Sequence, residues 1–230
     1  KLYHSSIGLE LAPVPTQNTP VILKRKTRLP NLVKYECAEQ SIGIYDLETT
    51  GFGSEAELIQ LAVLIQGRMF NRYIKPRNAI PRRITRLTGI EKIGNIMYAE
   101  TCAVESVPLS VCLQELLIFL PTNSTLLAHN GNSFDNPRLT RAITQSNLDF
   151  SKKLDGMGDT KTVFKKVWPM LTSYKQADLA ALKLPAESFR QHNAEEDVRI
   201  LQLLFEQAMK ENRIRTVTCH TLKSLQMRYC

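Results

Sequence analysis

Residues 41–53 read SIGIYDLETTGFG. The first seven form a short apolar, β-prone run that ends in acid. Alternate residues of a strand point to one side, so Asp46 and Glu48 share a face. Two convergent carboxylates attract a hard divalent cation. Two further clusters complete the pattern. Asp135 in LAHNGNSFDNPRL follows the β-prone run TLLAHN and stands near the start of a predicted helix. His192 and Asp197 lie in HNAEEDVRI, with Asp197 one turn into a helix that begins after His192. A sheet with flanking helices brings the four carboxylates and the histidine together, and the set reads as that of a metal-dependent nuclease.

The order Asp-x-Glu, then Asp, then His-x-x-x-x-Asp resembles the DEDDh class of 3′-to-5′ exonucleases. That class includes proofreading subunits of DNA polymerases, RNase T and the three-prime repair exonucleases. The strings HNGNSFDNPRL and HNAEEDV are similar to segments of the repair exonucleases and of the exonuclease-like domain of the promyelocytic leukaemia protein and its fish relatives. The resemblance covers about residues 40 to 210, and three clusters in order are far more specific than any one alone. It implies an α/β fold of the ribonuclease H-like kind, with a mixed central sheet flanked by helices. It also implies two magnesium ions, with manganese as a substitute, held by Asp46, Glu48, Asp135 and Asp197, with Asp46 bridging both. His192 becomes the general base, since an unperturbed imidazole pKa of about 6.5 suits proton transfer at neutral pH.

The same resemblance assigns Thr49, Phe52, Leu87, Thr88, Ile90 and Phe134 to packing around the terminal bases. For Phe134 and Ile90 an ordinary core role competes evenly, because apolar residues beside a turn usually pack inward. Arg82, Arg83, Arg86, Lys165 and Lys166 are candidate phosphate contacts or simply solvated charges. The implied reaction releases nucleoside 5′-monophosphates from single-stranded 3′ ends, DNA favoured, and the repair enzymes suggest a homodimer. The competing reading is a nuclease-derived nucleic-acid-binding or scaffold module with little turnover, whose mark would be a lost ligand. Here all five catalytic positions are filled.

Composition agrees with a folded enzyme. The 230 residues suffice for one substantial core with terminal extensions, and an apolar content of 43% argues against disorder. The net charge is +8 although the site itself supplies four negative charges, so phosphate polyanions are natural partners. Five scattered cysteines, Cys37, Cys102, Cys112, Cys219 and Cys230, form no C-x-x-C pair. They favour a reducing, intracellular setting, nucleus or cytoplasm. No apolar run reaches the roughly 18 residues of a membrane span. The start KLYHSSIGLE is not a signal peptide and, lacking methionine, reads as that of an excised fragment.

Along the chain, residues 1–38 hold Pro13, Pro15, Pro20 and Pro30 and read as an extended basic arm. Its tract Lys24, Arg25, Lys26 and Arg28 is a candidate import signal or nucleic-acid contact, or a solvated patch. The exonuclease domain spans 39–211, and 212–230 reads as a helical C-terminal extension. Strands are expected at SIGIYDL, ELIQLAVLIQ and MFNRYIKP, the last two joined through Gly67 and Arg68. Helices are expected at RRITRLT, ending at Gly89, at PLSVCLQELLIFL, and at about 134–146, 160–167, 176–182 and 194–211. Gly51, Gly53 and Ala56 formally match a dinucleotide-binding turn, but that motif needs a helix where ELIQLAVLIQ reads as a strand. No nucleophile elbow is present. His129 reads as structural, Asp159 as a helix cap and Asp178 as structural; His4 and His220 have no carboxylate context.

Overall fold

The computed structural model describes residues 32–36, 41–185, 187, 190–212 and 214–229. The basic tract at 24–28 and the prolines of the arm lie outside the described residues. Strand β1 is Leu32–Glu36, and β2 (Ser41–Thr49), β3 (Leu58–Ile65) and β4 (Arg68–Ile74) follow as an antiparallel meander. The β3–β4 turn is Gln66–Gly67, one residue earlier than the sequence suggests. Both residues have positive φ, 51° and 71°, which matches a tight turn to the twist of its strands. Helix α1 (Arg82–Thr88) stops at Gly89, whose φ of 72° lets its N–H cap the Thr85 carbonyl.

A small sheet of β5 (Ile90–Ile93), β6 (Ile96–Ala99) and β7 (Cys102–Val104) comes next, then the short strand β8 (Ser106–Val107). The remainder alternates as α2 (Leu109–Phe119), β9 (Ser124–Ala128), α3 (Asp135–Gln145), β10 (Leu154–Asp159), α4 (Thr160–Val167), α5 (Gln176–Lys183), α6 (Ala194–Asn212), β11 (Thr216–Thr221) and α7 (Leu222–Tyr229). The main sheet runs β1-β11-β10-β9-β2-β3-β4-β8. Pairs β10–β9 and β9–β2 are parallel, whereas β2–β3 is antiparallel. It is the mixed sheet of a ribonuclease H-like α/β fold. Strand β3 stands where a dinucleotide-binding turn would need its helix. No helix among the described residues is long and apolar enough to cross a membrane.

The chain ends depart from expectation. Leu32–Glu36 falls in the segment read as an arm, yet it pairs antiparallel with β11, from Leu32 opposite His220 to Glu36 opposite Thr216. The segment read as a helical extension contributes β11, which also pairs with β10, and only its last part is the helix α7. Both strands find their partners far along the chain, so no local turn announces them. LDGMGD was likewise not read as a strand, because its two glycines weaken a β pattern.

The strand period places the site. Tyr45 and Leu47 enter one core with Leu113, Leu116, Leu139 and Leu222. Ile44 enters the opposite core with Phe164, Val198 and Leu201. Asp46 and Glu48 share the side of Ile44, toward α6, at the carboxyl end of β2. There the sheet changes from parallel to antiparallel, the usual place for a crevice. A third cluster of Ile59, Ile80, Ile84, Ile90 and Met97 joins α1 and the small sheet to β3.

Gly158 of β10 sits where no side chain fits: a Cβ there would lie 2.6 Å from Cys219 Sγ and 2.7 Å from Leu127 Cδ2. Gly158→Ala is therefore expected to lose about 1–3 kcal/mol of stability through overpacking. Urea denaturation checks it, and an unchanged midpoint would contradict the close packing of β10 between β9 and β11.

Candidate active site

Three segments deliver the carboxylates. From β2 come Asp46 and Glu48, and from the first turn of α6 comes Asp197. One ligand oxygen from each of these three lies within 4.8 Å of the others. Asp135, at the start of α3, is buried beside them and lines the same cleft. A hydrogen bond between neighbours ties the two sides together: Tyr45 Oη donates to Asn136 Oδ1 at 2.6 Å, and Asn136 Nδ2 donates to Asn132 Oδ1 at 2.9 Å. The residue before Asp46 thereby anchors the residue after Asp135.

The position of Asp197 depends on where α6 begins, and polar residues from the sheet set that point. Buried Gln60 of β3 accepts the Ala194 N–H at 3.2 Å and donates to Asn71 Oδ1 at 3.1 Å. Asn71 donates in turn to Glu195 Oε2 at 2.7 Å. Asn193 Oδ1 accepts from the N–H groups of Glu195 and Glu196, as an N-cap does. Gln176 of α5 donates to the carbonyl and to Oδ1 of Asp197, at 2.9 and 3.0 Å. None of Gln60, Asn71 and Gln176 was singled out from sequence. An amide carries no chemistry by its type, and only the tertiary arrangement shows its task.

Burial governs the electrostatics, and crowding adds to it. Burial, then the charges of Asp135, Asp197 and Glu48, pushes the Asp46 carboxyl well above its ordinary range. Burial, then Asp197 and Asp135, raises Glu48 to about 8. Burial raises Asp135 to about 8 even though Arg138 opposes the shift. Asp197 rises to about 7, mainly through burial, against hydrogen bonds from the backbones of His192 and Asn193. Among the described residues no lysine or arginine forms an ion pair with any of the four. An all-oxygen donor set with uncompensated charge fits magnesium or manganese.

The cleft has a volume of about 850 Å³ and is lined by Asp46, Glu48, Thr49, Phe52, Leu87, Thr88, Phe134, Asp135, His192 and Asp197. Each of the sequence-predicted site residues reaches it except Ile90. That side chain is 1% exposed and packs inward with Ile59, Ile80, Ile84 and Met97, because β5 alternates and its first residue faces the core. His192 is exposed, has a left-handed φ of 66°, and donates its backbone N–H to Asp197 Oδ2 at 2.7 Å. Partial desolvation lowers its pKa, which favours the neutral imidazole. His129 also borders the cleft, but its ring nitrogens meet Thr160 Oγ1 at 3.1 Å and the Tyr174 carbonyl at 2.7 Å, as a structural residue's would. Asp159 caps α4 by accepting the Lys161 N–H, and Asp178 accepts from Ser173 Oγ.

The RNase T exonuclease family model matches residues 44–205. No curated protein matches in sequence. Among solved structures, an exonuclease I described for its processivity superposes with a TM-score of 0.62 at 14% identity, over 76% of this chain and 42% of that one. Escherichia coli exonuclease I in complex with a dA16 oligonucleotide gives 0.60 at 15% identity, over 76% and 41%. Exonuclease I from Methylocaldum szegediense gives 0.57 at 15% identity, over the same shares. At such identity the likeness is one of fold, and the chain spans about two fifths of the length of these neighbours.

The raised carboxyls fix a sign for stability against pH. Unfolded carboxyls titrate at about 4, so between about pH 4 and 8 the metal-free folded protein binds more protons than the unfolded chain. Stability from this cluster therefore falls as pH rises through that window. In chelator, the melting temperature is expected to drop from pH 5 to pH 8, less steeply in Asp46→Asn, and millimolar magnesium should restore it most at pH 8. A magnesium effect equal in the wild type and Asp46→Asn would contradict the site.

Proposed function

The chain belongs to the RNase T exonuclease family, and from that premise we propose that it is a metal-dependent 3′-to-5′ exonuclease acting on single-stranded DNA. The observation that carries this reading is the meeting of Asp46, Glu48, Asp135 and Asp197 in one cleft whose mouth holds His192 and two aromatic rings. The neighbour solved with dA16 holds single-stranded DNA on a related fold, which supports the substrate class. The thiols of Cys102 and Cys112 suit a reducing compartment.

Two divalent cations, magnesium or manganese, would be held by the four carboxylates and would offset phosphoryl charge, favour ionisation of the attacking water and stabilise the charge that develops on the leaving oxygen. His192 accepts the proton of that water at an imidazole nitrogen, and its loop position lets the ring reach over the cleft. The water oxygen forms the new bond to phosphorus while the bond to the 3′ oxygen breaks. A nucleoside 5′-monophosphate leaves, and the 3′ oxygen of the shortened strand takes a proton from solvent to end as a hydroxyl. Thr49, Leu87 and Thr88 line the cleft beside the terminal nucleotide, while Phe52, 66% exposed, stacks on bases at its mouth. Gln176 and the Asn193 cap hold Asp197 to its task.

Substrate form tests the reading. With magnesium, a linear strand should shorten stepwise to 5′-mononucleotides, a covalently closed circle should survive, and a bulky 3′ block should protect where a 5′ block does not. His192→Ala is expected to lower turnover by on the order of a hundredfold or more while metal and strand binding persist. Internal fragments from the circle would mean an endonuclease, and binding of every strand without cutting any would mean a scaffold module.

A further inference from the structure

Arg138 lies three residues after Asp135 and spends its guanidinium on the rim of the cleft. Nη1 donates to the Phe134 carbonyl at 2.9 Å, and Nη2 donates to the Phe52 carbonyl at 2.6 Å and the Gly53 carbonyl at 3.3 Å. The same guanidinium lies over the Phe134 ring, 3.6 Å from its centroid. Three residues on, Arg141 donates to the Ser54 carbonyl at 2.8 Å. Successive carbonyls of the loop at Phe52, Gly53 and Ser54 are thus taken by arginines of α3. Among the described residues Arg138 Nε is buried without a partner, a cost accepted at this spot.

The loop needs such a hold. Phe52 is flanked by Gly51 and Gly53, its ring is mostly in solvent, and among the described residues its one ring contact is Phe134, with centroids 6.1 Å apart. An exposed aromatic on a glycine-flanked loop loses much conformational freedom when it stacks on a base. The Nη groups of Arg138 are already committed to carbonyls and its Nε is buried, so the residue acts through the loop and not on a phosphate.

We propose that Arg138 is a positioning residue for end recognition, a planar fork that presets Phe52 against Phe134 as a stacking platform for the terminal bases. The inference rests on the exonuclease reading above. Lysine keeps the charge but cannot serve the carbonyls and the ring face together, so Arg138→Lys separates the fork from the charge.

The test uses a single-stranded oligodeoxynucleotide ending in 2-aminopurine at its 3′ terminus, with wild type, Arg138→Lys, Arg138→Met, Phe52→Ala and Arg138→Met/Phe52→Ala. Both Arg138 variants should raise KM about tenfold, and Arg138→Lys, which keeps the charge that opposes the rise of the Asp135 carboxyl, should hold kcat within about twofold. Both should also weaken the 2-aminopurine quenching that the wild type is expected to give on binding without magnesium. The double variant should be no worse than Phe52→Ala alone, since the two act as one unit. Should Arg138→Met melt below the assay temperature, Arg138→Lys and Phe52→Ala carry the comparison. Wild-type KM and quenching in Arg138→Lys, multiplying losses in the double variant, or a fall in kcat at unchanged KM would each overturn the inference alone. A wild type that neither bound nor cut the strand would overturn the exonuclease reading and this inference with it.

Discussion

Four carboxylates in a half-buried cleft repel one another, and the fold nevertheless holds them there. Burial makes ionising each of them cost more than in water, and the charges of Asp197 and Asp135 add to the cost at Glu48, so the carboxyls of Glu48, Asp135 and Asp197 all stand above their ordinary range. A protein relieves such strain with protons, with basic partners or with a cation. Basic side chains are not paired with these acids among the described residues, although the chain as a whole carries +8. Part of the positive charge lies on exposed faces, with Arg82 and Arg83 on α1 and Lys165 and Lys166 on α4. Such a division suits a polyanion drawn to the surface and a hard cation drawn to the cleft.

Holding the acids in place is the work of neutral polar groups. Tyr45 and Asn136 join β2 to α3, while Gln60, Asn71 and Asn193 decide where α6 begins. These bonds are buried or partly buried, so each satisfies a group that would otherwise be costly to leave unpaired. The apolar cores on the two faces of the sheet supply the bulk of stability, and the polar links convert that rigidity into position. His192 differs in being on an exposed left-handed turn, fastened by its backbone to Asp197 and free in its ring. A group that must move a proton gains from that freedom, whereas ligands gain from being fixed.

Much of this was legible in the sequence because the chemistry sits at the ends of strongly patterned elements. Asp46 and Glu48 close a strand whose period decides their face, and Asp197 follows a cap that marks its helix. Ile90 shows the limit: it follows the Thr88–Gly89 turn, but the alternation of a four-residue strand turns it into the core. The pairing of β1 with β11 was illegible for another reason. Two short segments at opposite ends of the chain find each other only once the sheet exists, and the glycines of β10 hide a strand whose neighbours leave no room for side chains. Arg138 was likewise invisible, since an arginine at a helix surface reads as solvated charge until the loop it holds is seen.

The central claim is that Asp46, Glu48 and Asp197, with Asp135 beside them, form a cation site on which the proposed cleavage depends. Anomalous diffraction from crystals grown with manganese tests it most directly. The account predicts strong anomalous density in the cleft within ligand distance of Asp46, shared with carboxylate oxygens of its partners and lost in Asp46→Asn. Density confined to the protein surface, or an empty cleft at saturating manganese, would contradict it.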